Sequence, residues 1–221
     1  MIELRKLSLA ASGLVFMLTL AVSSVASAGQ LNLAKTPESI EPVAVGEAVP
    51  SFEVLDPKGK AVTFDGSQLD NPAVIITYRG GWCPYCNVQL QELRNVLPEL
   101  NELGVDVWFL TGDAPEVIFS SMKEKTQTEI EGLDYKIYSD YQLKAASELG
   151  IAFSLDEETL AKFAEYGVAK KSSVAEHSAL LVPSVFVIDA EGIIRYSFFD
   201  PDYTVRLPAE ELLQVVKDKV L

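Results

Sequence analysis

Residues 78–86 read Tyr-Arg-Gly-Gly-Trp-Cys-Pro-Tyr-Cys and contain both cysteines of a chain of 221 residues. The apolar, β-branched run from Ala73 to Tyr78 precedes the cysteines and predicts a buried strand, and leucines at helical spacing follow them. Cys83 and Cys86 are therefore predicted to lie where a strand gives way to a helix. A C-x-x-C pair at such a junction is typical of redox-active proteins.

This junction suits thiol chemistry because a helix N-terminus offers unpaired N–H groups and a partial positive charge, which favour a thiolate over a thiol. The spacing of Cys83 and Cys86 lets the second thiol attack a mixed disulfide formed by the first, and Pro84 limits the turn between them. We therefore predict a reversible disulfide between Cys83 and Cys86.

Two other uses of the cysteine pair are a static disulfide in a non-enzymatic domain and half of a metal site. A bridge that closes so short a loop constrains the unfolded chain little, so stability alone is a poor reason for it. Structural zinc sites need four ligands, and His177 is the only histidine that could join the two cysteines. We expect redox chemistry with no metal and no cofactor, and we expect His177 to be incidental.

The rest of the chain alternates predicted strands and helices, which indicates an α/β fold with a mixed central sheet flanked by helices. The predicted strands are a hairpin of 52–55 and 61–64, then 73–78, 105–110 and 135–138, and a second hairpin of 185–188 and 193–197. The first predicted helix runs from near Cys86 to Gly104, with a kink at Pro98. Another begins at a capping box of Ser154 and Glu157 and ends at Gly167. The other predicted helices cover residues 115–128, 141–149 and 207–221. Residues 168–180 are predicted to be a loop.

The N-terminal segment, residues 1–28, has the pattern of a signal peptide: two basic residues, an apolar run and then Ala26-Ser27-Ala28. A retained membrane anchor is the alternative, but the apolar run is short for a spanning helix. We predict cleavage after this segment, an arm over residues 29–45 and one domain over residues 46–221. The mature protein is expected to be exported to the periplasm, where a cysteine pair can be oxidised.

Composition and charge exclude several classes of protein. A hydrophobic fraction of 48% is too high for wholesale disorder, and two cysteines are too few for a disulfide-rich framework. The chain carries 32 acidic and 18 basic side chains, a formal net charge of −14. Because a polyanionic partner would be repelled at long range, we expect no nucleic acid and no anionic membrane among its partners.

Three stretches together resemble a known family, namely 46–64, 78–86 and Val182-Pro183-Ser184-Val185-Phe186-Val187-Ile188-Asp189. They are similar to thioredoxin-fold redoxins, and the overall pattern resembles the peroxiredoxin-like branch of the alkyl hydroperoxide reductase and thiol-specific antioxidant family. The resemblance covers approximately residues 44–221. The Trp-Cys start of the motif resembles thioredoxins, Cys-Pro-Tyr-Cys matches the glutaredoxin tetrapeptide, and the tail from Asp202 to Arg206 resembles the peroxiredoxin-like branch.

The resemblance implies a thioredoxin-like fold and an antioxidant activity, either as a thiol-dependent peroxidase or as a thiol–disulfide oxidoreductase. The implied substrate is a hydroperoxide or a disulfide, and the implied electron donor is a thioredoxin-like protein or a small thiol. By the same resemblance, Pro183 is a cis-proline that faces the cysteines; the alternative is that it merely starts the following strand. Trp82 shields the attacking sulfur, and Tyr85, which follows Pro84, is a partly exposed residue of the motif.

The chain also departs from a typical peroxiredoxin. Cys83 stands where the family has Thr or Ser, Cys86 falls on the position of the peroxidatic cysteine, and Pro183 appears where an arginine would lie. Arg79 or Arg206 could replace that arginine, although each is more simply a solvated charge. The family resemblance favours a peroxidase that works through a dithiol and disulfide cycle, and the cysteine pair by itself favours disulfide exchange.

The order in which the two sulfurs react is predicted differently by the two resemblances. The thioredoxin-like pattern assigns the attack to Cys83, which precedes the helix and is expected to be the more exposed thiol. The peroxiredoxin-like pattern assigns it to Cys86. We expect Cys83 to attack in disulfide exchange, and the order with peroxide stays open.

Overall fold

A mixed sheet of seven strands forms the centre of the structure, a computed structural model that describes residues 30–221. The strands in chain order are β1 (Phe52–Leu55), β2 (Ala61–Phe64), β3 (Ala73–Tyr78), β4 (Asp106–Thr111), β5 (Lys136–Ser139), β6 (Ala152–Ser154), β7 (Ala179–Leu181), β8 (Ser184–Ile188) and β9 (Ile194–Phe199). The central sheet has the order β2-β1-β5-β4-β3-β8-β9, and β6 pairs with β7 in a separate antiparallel ladder. Only β3, β4 and β5 run parallel to one another in the central sheet, so the sheet is mixed as the sequence predicts.

Helices supply the rest of the core on both faces of the sheet. They are α1 (Pro84–Leu93), α2 (Leu97–Glu102), α3 (Glu124–Ile130), α4 (Lys144–Glu148), α5 (Glu157–Tyr166), α6 (Ser173–His177) and α7 (Ala209–Lys219). Alternate residues of β3 point to opposite faces, so Val74 and Ile76 join one apolar cluster whereas Ala73 and Ile75 join the other. The predicted α/β fold with helices around a mixed sheet is confirmed.

The strand β3 places the cysteine motif. All six of its residues are buried, and it lies between β4, to which it is parallel, and β8, to which it is antiparallel. Strands buried on both faces read as continuous apolar runs, which explains why the sequence made this strand easy to predict. The chain leaves the carboxyl end of β3 at Tyr78 and enters α1 at Pro84.

The helix predicted after the cysteines is in fact two helices, α1 and α2, separated by a turn at residues 94–96. Pro98 does not kink a continuous helix. It lies in the first turn of α2, where the backbone N–H that proline lacks has no partner within the helix. Leu90 and Leu100 nevertheless pack in the same apolar cluster, so the turn preserves the buried stripe that the spacing predicts.

Three further segments differ from their predictions. Residues 115–128 form a short 3₁₀ turn, Pro115–Val117, before α3 begins at Glu124. Residues 168–180 contain α6 and the first two residues of β7. The strand that pairs with β7 is β6, which is distant in the sequence, so local pattern does not show it. The cap of α5 is Asp156, whose carboxylate accepts a hydrogen bond from the N–H of Thr159 at 2.6 Å.

The predicted signal peptide, residues 1–28, lies outside the described residues. Of the predicted arm, Ala34 lies beside β6: its N–H donates to the carbonyl of Ala152 and its own carbonyl accepts from Ser154, both at 2.9 Å. Across residues 30–221, every helix is too short or too polar to cross a membrane.

Candidate active site

Both cysteines lie at the junction between β3 and α1, as the sequence predicts. Cys83 is the residue that immediately precedes α1, and Cys86 lies in its first turn. Both are free thiols, and their exposed fractions are 1% for Cys83 and 0% for Cys86. Cys83 is thus the more exposed thiol only by a narrow margin, and both thiols are largely covered by their surroundings.

The surroundings of the two thiols move their pKa values in opposite directions. The pKa of Cys83 is lowered, mainly because the Cys86 thiol donates a hydrogen bond to its sulfur, with smaller effects from the Cys86 N–H and the charges of Arg79 and Arg206. The pKa of Cys86 is raised well above the ordinary thiol value, first by burial and then by the hydrogen bond that it donates to Cys83. The arrangement therefore favours a thiolate at Cys83 and a neutral thiol at Cys86.

Arg206 reaches the cysteines from the segment between β9 and α7. Its Nη2 lies 3.6 Å from Cys86 Sγ, and its Nε donates to Gln89 Oε1 at 3.1 Å. Nη1 donates to the carbonyls of Tyr203 and Val205, which fixes the guanidinium in place. Arg206 is therefore not the solvated charge that the sequence suggested, and it brings a fixed positive group to the buried sulfur.

Arg79, immediately before the glycines of the motif, is held by aromatic rings. Its Cζ lies 4.1 Å from the ring centroid of Tyr203, 5.1 Å from that of Trp82 and 5.9 Å from that of Phe163. Such stacking orients a guanidinium without using its N–H groups. Its charge is one of the causes of the lowered pKa of Cys83.

The remaining residues of the motif differ in exposure. Trp82 is half-buried and packs edge-on against Phe163, with the ring centroids 5.2 Å apart. Tyr85 is 46% exposed and meets Tyr203 edge-on at 5.8 Å. Pro84 is the first residue of α1, a position that suits proline because its N–H would have no helical partner.

Pro183 does not have the predicted cis peptide bond, since the peptide bonds between residues 30 and 221 are all trans. Hydrogen bonds fix the chain on both sides of the proline. The N–H of Val182 donates to the carbonyl of Ile151, and the Thr77 hydroxyl accepts from the N–H of Ser184 at 2.9 Å and donates to the Val182 carbonyl at 3.2 Å. The trans chain thus satisfies its polar groups. Pro183 lines a cavity to which neither cysteine contributes.

Asn87 is a part of the site that sequence reasoning missed. It is buried, its Nδ2 donates to the carbonyls of Gly81 at 2.6 Å and Cys83 at 2.9 Å, and its Oδ1 accepts from the N–H of Lys123 at 2.9 Å. The side chain thereby fastens the cysteine loop to the segment before α3. The only sequence signal was a polar residue among the buried positions of α1.

Asp113 holds the same loop from the other side and was also missed. Its buried carboxylate accepts hydrogen bonds from the N–H of Gly81 at 2.7 Å and from Ser121 Oγ at 2.6 Å. Burial raises the pKa of Asp113 to about 6 in spite of these bonds. A Cβ on Gly81 would lie 2.3 Å from Ser121 Oγ and 2.6 Å from the Met122 nitrogen, so the close approach requires glycine.

Asp113 follows β4, which runs parallel to β3, so its position has a simple cause. The carboxyl ends of parallel strands lie at the same edge of a sheet, so the residues that follow β3 and β4 lie close together beside the cysteine loop.

In the described part of the chain, His, Cys, Asp and Glu side chains form no group of three that could hold a metal ion.

Comparison with known proteins agrees with this geometry. Residues 45–197 match the family model described as AhpC/TSA family. The chain belongs to the AhpC/TSA family. It is 27% identical over 164 residues to Peroxiredoxin Bcp of Escherichia coli (strain K12), an alignment that covers 73% of this chain and 88% of that protein. Over a shorter stretch of 77 residues, 35% of this chain and 43% of the relative, it is 27% identical to the thiol-disulfide oxidoreductase ResA of Bacillus cereus (strain ZK / E33L).

A solved structure shares the fold. The crystal structure of a peroxiredoxin-like protein from Aquifex aeolicus superposes with a TM-score of 0.61 at 19% identity, covering 86% of this chain and 99% of that one. The implied membership in the peroxiredoxin-like branch and the thioredoxin-like fold are confirmed, and this AhpC/TSA protein is a thiol-dependent peroxidase or oxidoreductase.

Proposed function

We propose that this chain reduces hydroperoxides with the dithiol of Cys83 and Cys86, which is oxidised to a disulfide in each turnover. The observation that carries the proposal is the position of the two cysteines at the start of α1, with Cys83 immediately before the helix and Cys86 in its first turn. The lowered pKa of Cys83, caused mainly by its interaction with the Cys86 side chain, supports a thiolate there. Family membership supplies the class of reaction, and the pair supplies both the attacking and the resolving sulfur.

The proposed cycle begins at the Cys83 thiolate. Its sulfur attacks the terminal oxygen of the hydroperoxide, the O–O bond breaks, and the alkoxide leaves as an alcohol after taking up a proton. Cys83 is then a sulfenic acid. The Cys86 sulfur attacks the Cys83 sulfur, an S–S bond forms, and the sulfenic hydroxyl leaves as water with the Cys86 proton. Two electrons from a thioredoxin-like protein or a small thiol restore the dithiol.

Matched single variants test the proposal. In stopped-flow mixing with hydrogen peroxide, the reduced wild type should lose two thiols per peroxide. The Cys86→Ser variant should form a sulfenic acid that a trapping reagent labels at Cys83, whereas the Cys83→Ser variant should stay unlabelled. Labelling of only the variant that retains Cys86 would move the attack to that residue. If neither variant reacts faster than an ordinary thiol, the peroxidase proposal fails.

Thiol–disulfide exchange is a second candidate, and the residue that carries the stabilised thiolate favours it. Cys83 precedes the helix and has the lowered pKa, which is the arrangement suited to attack on a disulfide. Thiol trapping across a series of redox buffers, together with insulin reduction by the wild type and the Cys83→Ser variant, tests this activity. A disulfide that resists every buffer would support a static structural bridge instead.

We also propose that residues 1–28 direct export and are removed between Ala28 and Gly29, so that the mature protein works in the periplasm. The pattern of basic residues, apolar run and Ala26-Ser27-Ala28 supports this. N-terminal sequencing of the exported protein tests the site. Retention of Met1 on a membrane-bound product would contradict it.

A further inference from the structure

A cavity of about 420 Å³ lies beside the aromatic residues of the cysteine motif. Arg79 and Tyr203 form one part of its wall. Arg79 contacts Trp82, which precedes Cys83, and Tyr203 contacts Tyr85, which lies between the two cysteines. The apolar lining includes Phe153, Leu180, Val182, Pro183 and Pro201. The volume falls in the range of sites for small organic molecules.

Arg79 differs from the other arginines because its guanidinium, which lines this cavity, has no hydrogen-bond acceptor among the described residues. The other arginines between residues 30 and 221 each bind an acceptor: Glu129 for Arg94, Asp189 for Arg195, and Gln89 for Arg206. Arg79 donates no hydrogen bond to any of the described residues, although the chain has 32 acidic side chains. Its guanidinium lies over the Tyr203 ring, with Cζ 4.1 Å from the ring centroid, a contact that leaves its N–H groups available to an acceptor supplied by a ligand.

The other charged groups of the cavity limit the class of ligand. Lys35 is a second cation in the lining, and Glu38 and Asp156 contribute carboxylates. A ligand with several negative charges would meet these two carboxylates, whereas a ligand with both a carboxylate and an ammonium group finds a partner for each. The apolar lining suits an aliphatic or thioether body between the charged ends.

We propose that this cavity binds a small zwitterionic thiol, of the amino-acid or short-peptide class, with a carboxylate on Arg79, and that this thiol reduces the Cys83–Cys86 disulfide. The redox role rests on the proposed function, whereas the binding does not. Because neither cysteine lines the cavity and Cys83 is only 1% exposed, the step requires the cysteine motif to open toward the ligand. The ligand thiolate then attacks the Cys83 sulfur, the S–S bond breaks, and Cys86 leaves and takes up a proton. A second thiolate attacks the mixed disulfide, releasing the oxidised ligand and the Cys83 thiolate.

Binding is measured first, without redox chemistry. The probe is S-methylglutathione, which has the charges of a short-peptide thiol and cannot exchange. A Trp108→Phe background leaves Trp82, which contacts Arg79, as the single tryptophan, so its fluorescence reports on the cavity. We expect saturable binding that is weakened about tenfold or more by Arg79→Gln, because a bidentate carboxylate contact is lost, and about twofold to threefold by Lys35→Gln.

Two further probes separate the ligand classes. The dimethyl ester of S-methylglutathione, which lacks the carboxylates, should bind at least tenfold more weakly, and hexanoate, which lacks the ammonium group, should bind more weakly as well. Equal binding of the ester, or tighter binding of hexanoate than of the peptide, would overturn the proposal. So would binding that Arg79→Gln leaves unchanged.

The redox arm compares two reductants of the oxidised protein. Lys35→Gln should slow reduction by glutathione and leave reduction by dithiothreitol, which has no charged groups, unchanged. An equal effect on both reductants would contradict a role of the cavity in recognition. If the probe binds as expected but the wild type shows no peroxide reaction, the site stands and the proposed peroxidase cycle fails.

Discussion

Asn87→Ala should be among the most destabilising substitutions near the site, because it removes three hydrogen bonds at once. Loss of the bonds to Cys83 and Lys123 costs about 1 kcal/mol each. The Gly81 carbonyl has no other partner among the described residues, so leaving it buried and unpaired adds about 1 to 3 kcal/mol. The expected loss in the free energy of unfolding is therefore about 3 to 5 kcal/mol.

Urea denaturation of the reduced protein measures this loss. Asn95→Ala is the matched control, since Asn95 is exposed and the change should stay within about 0.5 kcal/mol. Asn87→Asp keeps the acceptor for Lys123 but cannot donate, so it should cost about 2 to 4 kcal/mol. A loss below about 1 kcal/mol for Asn87→Ala would refute the idea that this side chain fastens the cysteine loop.

Three other predictions concern the thiols, the buried carboxyl and the core. Cys86→Ala should raise the pKa of Cys83 toward the ordinary thiol value of about 8.5, because it removes the main stabilising hydrogen bond; thiolate absorbance against pH tests this. The pKa of Asp113 in the folded state, about 6, exceeds its unfolded value, so the stability it contributes is present in acid and is lost as the pH rises through 6. The unfolding free energies of wild type and Asp113→Asn should therefore diverge by roughly 2 to 3 kcal/mol between pH 4 and pH 7, and a constant difference would contradict this. Leu90→Ala should cost about 3 kcal/mol in chemical denaturation, against less than about 1 kcal/mol for the exposed Val88→Ala on the same helix.

The sequence predicted the parts of the fold that depend on local pattern. The run from Ala73 to Tyr78 is apolar throughout because β3 is covered on both faces, and this alone placed the cysteines at the end of a buried strand. The leucine stripe correctly indicated a helical segment against the sheet. It did not show the turn at residues 94–96, because Leu90 and Leu100 keep the same face across it.

The supporting residues of the site depend on contacts between distant segments, which no local pattern encodes. Asp113 lies 32 residues from Gly81, and Arg206 lies 120 residues from Cys86. Their roles follow only after the order of the strands is known. Pro183 shows a different error, since a resemblance at the level of a short motif implied a cis bond where the bond is trans. The Thr77 hydroxyl contacts the chain on both sides of the proline, accepting from the N–H of Ser184 and donating to the carbonyl of Val182.

The two resemblances disagree over the attacking sulfur, and the proposal that Cys83 attacks first rests on the protonation of the pair. The Cys86 side chain lowers the pKa of Cys83, whereas burial first and then the same interaction raise the pKa of Cys86, so the proton of the pair resides on Cys86. Attack by Cys83 uses the thiolate already present. Attack by Cys86 would first require its fully buried thiol to lose that proton. The Arg206 guanidinium, whose Nη2 lies 3.6 Å from the Cys86 sulfur, would then be the positive charge beside the thiolate. This difference in protonation supports the proposal that Cys83 attacks both disulfides and peroxides, although the resemblance to peroxiredoxins assigns the attack on peroxide to Cys86.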